Sequence, residues 1–261
     1  MKKVLLYSSS LVTDKKWASQ FVAFDNTTRV AIDSGSAPDW SQMLTLVKKA
    51  SAQAGSGGVV MFLSGHGVEA DTSDASSSWV SLGNGGKVKI NPDLVFYAID
   101  PDGSGPAKSK KEWDDAQIKE ADSLKTPEGK KLYLENRDQM SPAKQKEAMA
   151  QAVEVAEFSR KRRQLYENYK QMGALLSGAG VSRVVFLACN IGKDTKMIDQ
   201  IGKDWGVEVV AYKQFITLQE TDGKVRIFLS PTRAGKGEVR EEHDTKFIPD
   251  ITPNTAHVAH P

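Results

Sequence analysis

Two apolar runs, far apart in the chain, most strongly constrain how it can fold. Residues 59–63 (VVMFL) and 184–187 (VVFL) contain no polar side chain. Strands of this kind are buried on both faces, as happens when helices cover both sides of a mostly parallel sheet. Helical patterns alternate with such strands, for example between Pro38 near the start of a helix and Gly55 past its end. The sequence therefore predicts an α/β sandwich.

Residues from about 98 to 178 do not follow this alternation. The first part is polar and rich in turn residues, and the second part is typical of one long helix. Ser141 is placed as its N-cap, Pro142 as its first residue, and Gly178 just past its end. We predict a helical insertion at 98–178 within a domain of residues 1–245. Residues 246–261 are predicted to be an extended or disordered tail because few of them are apolar.

The composition, net charge and cysteine content indicate which binding partners and which cellular compartment to expect. The 261 residues are 39% hydrophobic, enough for one sizeable core, and the net charge of +2 does not favour nucleic acid or membrane as a partner. The single cysteine excludes an internal disulfide and fits a reducing compartment. The N-terminal run VLLY is broken by three serines, whereas a signal peptide needs about 7 to 15 apolar residues. We expect a cytoplasmic protein, with signal-independent export left open.

Each of the two apolar strands ends near a side chain with catalytic chemistry. His66 follows the first strand in Ser-Gly-His-Gly, and Cys189 follows the second in Ala-Cys. In sheets of this class, ligands collect beyond the carboxyl ends of the strands. A cysteine nucleophile needs a base, which His66 could supply, and donors for the developing oxyanion. The amides of Gly67 and Cys189 are candidates for those donors, and a helix expected just after Cys189 would favour the thiolate.

Taken singly, these features have simpler explanations. A lone cysteine ending an apolar strand is usually a small buried hydrophobe. A His-Gly pair often marks only a turn. The combination is more specific, because both residues terminate similar strands at what should be the same edge of the sheet.

The motifs SGHG at 64–67 and LACNIG at 187–192 resemble the histidine and cysteine blocks of the caspase-type cysteine peptidases of clan CD. That superfamily includes caspases, metacaspases, gingipains and many bacterial members, and agreement is looser at 3–9 and 207–216. The resemblance implies a three-layer α/β/α sandwich and a dyad of Cys189 and His66 acting on a protein or peptide substrate. It implies no cofactor and no metal, and an oxyanion hole formed by the Gly67 and Cys189 amides. The specificity pocket that it implies comprises Ser8, Ser9, Ser10, Leu187, Tyr212, Lys213, Gln214 and Phe215.

The chain also departs from the family pattern. Ile191 is an extra residue between Asn190 and Gly192, and the dyad residues lie 123 positions apart against roughly 50 in caspases. Leu187 stands where metacaspase-like enzymes carry an acid, which argues against simple arginine or lysine specificity. Lys213 would either pair with an acidic substrate side chain or face solvent.

Other functions remain open at this point. The chain could be a catalytically inactive binding module whose helical insertion recognises a protein partner, or a hydrolase that uses Ser64 or Ser8. The insertion could also regulate or gate access to the site. Its basic run at 160–163 is interpreted as a solvated helical face, with a docking patch for an acidic partner or a processing site as alternatives. The histidines at 243, 257 and 260 lack the spacing of a zinc site.

Overall fold

The computed structural model describes much of the chain, with gaps. The described ranges are 2–7, 29–33, 38–63, 67–68, 78–82, 87–99, 109–221, 224–230 and 251–261. Their contacts form two compact units, the first made of Met1–Val95 with Asn168–Pro261 and the second of Phe96–Glu167. The two units are described separately below.

The first unit is built on a six-stranded sheet. Its strands are β1 (Lys3–Tyr7), β2 (Arg29–Asp33), β3 (Val59–Leu63), β7 (Arg183–Phe186), β8 (Glu208–Tyr212) and β11 (Ala256–Ala259). They lie in the order β11-β8-β7-β3-β1-β2, and all neighbours are parallel except β11, which runs antiparallel to β8. The predicted α/β class with a mostly parallel central sheet is confirmed, and the architecture is compatible with a three-layer sandwich.

The two apolar runs that motivated this prediction form adjacent strands at the centre of the sheet. Phe62 of β3 lies opposite Phe186 of β7, and their rings are 5.8 Å apart between centroids. All five residues of β3 are buried. Full burial of each such side chain contributes about 1.5–3 kcal/mol, so this pair of strands holds much of the core. Since the strands are parallel, their carboxyl ends meet at one edge.

Helices of the first unit pack on this sheet. Helix α1 (Trp40–Ala54) is the one predicted from Pro38 and Gly55; Asp39 and Gln42 form a capping box at its start. It contacts β1, β2 and β3. The short helix α2 spans Pro92–Val95, and α6 (Thr195–Trp205) contacts β8 and β11.

Two smaller sheets complete the described part of the first unit. Strands β4 (Gly67–Val68), β5 (Trp79–Ser81) and β6 (Lys89–Ile90) form an antiparallel sheet. Strands β9 (Phe215–Thr221) and β10 (Lys224–Ser230) pair antiparallel and form the second small sheet.

The second unit is helical. It contains α3 (Lys110–Ser123), α4 (Pro127–Glu135) and the first part of α5 (Pro142–Gly178). Helix α5 begins at Pro142, as predicted, and Ser141 accepts a hydrogen bond from the backbone N–H of Lys144 at 3.4 Å. No helix within the described ranges is long and apolar enough to cross a membrane.

A buried carboxylate joins α3 to α5 inside the second unit. Asp114 is fully buried and accepts hydrogen bonds from the hydroxyls of Tyr97 and Ser159, each at 2.8 Å. Arg162 donates to the same carboxylate through Nε at 3.0 Å and also through Nη2. Burial alone would raise the pKa of Asp114, but the hydrogen bonds from Arg162, Tyr97 and Ser159 outweigh it and hold that pKa below its ordinary value.

The basic run of α5 lies along the surface between α5 and α3 and pairs with acids of α3. Besides the Arg162 contact, Arg160 pairs with Asp122 at 2.7 Å and Arg163 with Asp115 at 3.3 Å. Three of the four cations therefore tie α5 to α3. Lys161, Arg162 and Arg163 are nevertheless exposed, which agrees with the predicted solvated face. The sequence analysis did not anticipate the acids that pair with the run, which lie 38 to 48 residues upstream.

The end of α5 belongs to the first unit. Tyr169, Met172 and Leu176 are fully buried, and the Tyr169 hydroxyl donates to Asp204 of α6 at 2.9 Å. The predicted insertion ran to residue 178, whereas the contacts place residues from Asn168 onward with the sheet. In the region predicted as a tail, residues 251–261 are described, and they contain the edge strand β11.

Candidate functional site

The candidate site lies at the carboxyl edge of β3 and β7. Cys189 comes three residues after the end of β7, and His66 comes three residues after the end of the neighbouring β3. The backbone N–H of Leu187 donates to the carbonyl of Phe62 at 2.8 Å, so the two strands stay paired up to this edge. His66 itself lies outside the described residues, as do Ser8, Ser9 and Ser10. The dyad of His66 and Cys189 therefore remains a prediction. The strands that precede these residues, β3 and β7, are neighbours in the sheet.

A tightly packed turn positions Cys189. The N–H of Asn190 donates to the carbonyl of Gln214 at 3.0 Å, and Asn190 has a left-handed backbone with φ of 56°. Asparagine is one of the few residues other than glycine that accept this conformation readily. A Cβ on Gly192 would lie 2.1 Å from the Ala211 carbonyl oxygen of β8. Only glycine fits there, so the turn is pressed directly against the backbone of β8.

Cys189 is half-buried, and its sulfur contacts the backbone of β9. The N–H of Ile216 donates to Sγ at 3.3 Å, and Sγ lies 3.7 Å from the carbonyl oxygen of the same residue. A donor aimed at sulfur favours the thiolate, which is the nucleophilic form. The thiol form could instead donate to the carbonyl oxygen. The site thus offers a polar contact to either protonation state.

The helix expected immediately after Cys189 begins later. A single 3-10 turn occupies Ile191–Lys193, and α6 starts at Thr195 with Asp194 as its N-cap. The Asp194 carboxylate accepts from the N–H of Met197 at 3.0 Å. Since a helix dipole acts mainly within its first turn, α6 does not provide the thiolate stabilisation inferred from sequence.

The remaining predicted residues fall into two groups. Leu187 and Tyr212 are fully buried in one core cluster, so they are not exposed to line a substrate pocket as predicted. Lys213, Gln214 and Phe215 are half-buried. The Lys213 ammonium donates to the Pro253 carbonyl at 2.9 Å, a partner that neither sequence-based alternative included. Gly67, the proposed oxyanion donor, is the first residue of β4 and lies opposite Val80.

The sequence analysis missed Asn190. Its side chain is 3% exposed, and within the described ranges neither its amide nitrogen nor its amide oxygen has a hydrogen-bond partner. The buried Oε1 atom of Gln214 is likewise without a partner in that part of the chain. The only available signal was an asparagine close to a glycine after the cysteine, which suggests a turn and does not reveal burial.

Comparisons with known proteins gave no relatives. No family model, no curated protein and no solved structure matches this chain. Across the described residues, no three His, Cys, Asp or Glu side chains are grouped so as to hold a metal ion.

Proposed function

We propose that this chain is a caspase-like cysteine endopeptidase. One observation supports it above the others: Cys189 lies half-buried at the carboxyl edge of β7, beside the strand that leads to His66, with an N–H directed at its sulfur. Two residues 123 positions apart in sequence are thereby attached to neighbouring strands. A thiol–imidazole pair needs its two side chains within hydrogen-bond reach, and attachment to neighbouring strand ends is compatible with that requirement.

The proposed reaction has two stages. His66 accepts the thiol proton, and the Cys189 thiolate attacks the carbonyl carbon of the scissile peptide bond, forming an S–C bond. The oxyanion is stabilised by the amides of Gly67 and Cys189. The C–N bond breaks as His66 passes the proton to the leaving amine. Water, activated by His66, then hydrolyses the thioester and releases the acid product and the thiol.

The single cysteine makes the proposal easy to test. Since Cys189 is the only thiol in the chain, mass spectrometry after iodoacetamide treatment measures its reactivity directly. We expect wild-type protein to cleave members of a peptide library and to take up one label. Cys189→Ala should lose both properties while its circular dichroism spectrum stays unchanged. His66→Ala should lose cleavage and retain slow labelling. Cleavage that persists in pure Cys189→Ala protein would reject the proposal.

A second function, a catalytically inactive module that binds a protein through its helical insertion, has its own supporting observation. Among the described residues, all seven large apolar side chains that are exposed lie between residues 99 and 165. A concentration of exposed apolar side chains in one region of the chain favours that region as the place where a partner would bind. These residues are Ile99, Trp113, Leu132, Met140, Val153, Phe158 and Leu165. A Cys189 that resists thiol probes in the folded protein, together with no cleavage, would favour this alternative.

A further inference from the structure

We propose that residues 251–256, which lie far from the site in sequence, position the thiol of Cys189. They hold Lys213, and Lys213 anchors the segment whose Ile216 N–H contacts the sulfur. The inference rests on the proposed function in one respect, since it takes Cys189 as the nucleophile. It assigns a role to a part of the chain that the sequence predicted to be only a tail.

The contact at the sulfur depends on where the segment 213–216 lies. The Ile216 N–H donates to Sγ of Cys189 at 3.3 Å, and the Asn190 N–H donates to the carbonyl of Gln214 at 3.0 Å. A hydrogen bond weakens steeply as the donor moves away or turns aside. Because α6 begins too late to favour the thiolate, the position of this N–H weighs more heavily on the reactivity of the thiol.

Lys213 attaches that segment to the β8–β11 edge of the main sheet. Strand β8 ends at Tyr212 and β9 begins at Phe215, so the chain leaves one sheet for the other at Lys213. The backbone N–H of Lys213 donates to the Thr255 carbonyl at 2.9 Å. Its ammonium donates to the Pro253 carbonyl, also at 2.9 Å. These two bonds fix both the path of the backbone and the direction of the side chain.

Two threonines shape the turn that presents these carbonyl groups. The N–H of Thr252 donates to Oγ1 of Thr255 at 2.9 Å, and the two hydroxyl oxygens lie 3.0 Å apart. In the opposite direction, the N–H groups of Thr255 and Ala256 donate to the carbonyl of Thr252 at 3.0 and 2.9 Å. Thr255 is 7% exposed, so its hydroxyl has little access to water. The turn leads directly into β11, where Ala256 lies opposite Tyr212.

The hydrogen bonds therefore form a chain of contacts from the turn to the sulfur. The Thr255 hydroxyl shapes the turn, the turn fixes Lys213, and the residues after Lys213 present the N–H to Sγ. A turn that served only to start β11 would not require bonds to Lys213, because β11 already pairs with β8 from Ala256 to Ala259. A purely structural turn affects stability alone, whereas a positioning turn also affects how readily Cys189 reacts.

The experiment measures the rate at which iodoacetamide labels Cys189 from about pH 5 to 10, with mass spectrometry as the readout. The thiolate is the reacting form, so the pH of half-maximal rate reports how well the folded protein stabilises it. Thr255→Val keeps the shape of the side chain and removes the hydroxyl. We expect it to raise this midpoint by about 0.5–1 pH unit, because the N–H then lies less well on the sulfur. Thr255→Ser keeps the hydroxyl and should match wild type.

A second variant tests the same link without altering the turn. Lys213→Met removes only the ammonium that bonds to the Pro253 carbonyl, and it should shift the labelling midpoint in the same direction as Thr255→Val. Should Thr255→Val not fold, Lys213→Met takes its place in the comparisons below.

A matched control removes a hydroxyl at the opposite edge of the sheet. Ser182 precedes β7, and its Oγ donates to the carbonyls of Gly57 and Gly58 at 3.0 and 3.1 Å. Ser182→Ala should lower the melting temperature and leave the labelling midpoint unchanged. If the midpoint of Thr255→Val coincides with that of Ser182→Ala, the inference is overturned and the turn only secures β11. Wild-type Cys189 that is not labelled at any pH would also overturn it.

Cleavage assays separate this inference from the proposed function, since labelling needs no substrate. A shifted midpoint in Thr255→Val, with no peptide cleavage by wild type, would support the positioning turn and reject the peptidase. Cleavage by wild type with an unshifted midpoint would support the peptidase and reject the positioning turn, and neither result would reject both. If both hold, Thr255→Val should lower kcat and leave KM within about twofold of wild type, because the turn acts on the nucleophile and not on substrate binding.

Discussion

Replacing Gly192 with alanine should displace the turn that carries Cys189. The new Cβ would lie 2.1 Å from the Ala211 carbonyl oxygen and 2.9 Å from the carbonyl carbon of Tyr212, both backbone atoms of β8. Ordinary van der Waals contacts begin near 3.4 Å. The backbone of the turn or that of β8 must therefore move by about 1.3 Å, the difference between 3.4 Å and the 2.1 Å to the Ala211 carbonyl oxygen. Neither neighbour is the end of a flexible side chain that could rotate away.

The expected effects follow from that shift. Overpacking against fixed atoms costs roughly 1–3 kcal/mol, which corresponds to a melting temperature lower by about 3–10 °C in a domain of this size. A misplacement of about 1 Å at a nucleophile can reduce the rate by about a hundredfold. Gly192→Ala should therefore lower kcat/KM by about two orders of magnitude. It should also change the rate at which iodoacetamide labels Cys189, because a shift of the turn alters the contact between Sγ and the Ile216 N–H.

The control is Gly178→Ala at the end of α5. A Cβ there has no atom within 4 Å and its φ is not positive, so this variant should be equally active and at least as stable as wild type, by up to about 1 kcal/mol. Differential scanning calorimetry, peptide cleavage and labelling rates are compared for the two variants. If Gly192→Ala behaves like Gly178→Ala in all three, the turn does not depend on the close approach to β8, and our account of how Cys189 is positioned is wrong.

Three further predictions concern stability. Asp114→Ala should destabilise the pairing of α3 with α5 by about 2–4 kcal/mol. The loss should be smaller than for a wholly buried ion pair because Arg162 is half exposed. Hydrogen exchange of the α3 amides measures the loss of stability. The pKa of Asp114 is held below its ordinary value. Its contribution to the free energy of unfolding should therefore be complete above about pH 4 and should decline as the pH falls further. Urea unfolding followed between pH 2 and 6 measures this dependence, which Asp114→Asn should lack. Asp39→Ala should cost about 1 kcal/mol through loss of the α1 cap, seen as faster exchange in the first turn of α1, and unchanged exchange would contradict the capping role.

Elements specified by local pattern were predictable. The unbroken apolar composition of β3 and β7 indicated burial on both faces, and the start of α5 followed from Ser141 and Pro142. The neighbouring positions of β3 and β7 could also be predicted, because catalytic residues that follow parallel strands lie at the same edge of the sheet. These inferences need only neighbouring residues and the periodicity of side chains.

Features that depend on distant partners were not predictable. Nothing near 160–163 indicates that its arginines pair with acids of α3, and the same holds for the partners of Asp114. The unsatisfied amide of Asn190 becomes visible only when the packing around it is known. The pairing of β11 with β8 was missed because its four residues lie in a polar context and lack a strong alternating pattern.

The pairing of β3 with β7 has a consequence for the time at which activity can arise. Val59 and Arg183 are opposite each other although they lie 124 positions apart, so the two strands that would carry the proposed dyad cannot pair until the intervening chain exists. At about 5–20 residues per second, a ribosome needs roughly 6–25 s to make that stretch, and such long-range pairings also form slowly after synthesis. If the proposed dyad acts as a peptidase, its activity would therefore arise only after both strands have been made and paired.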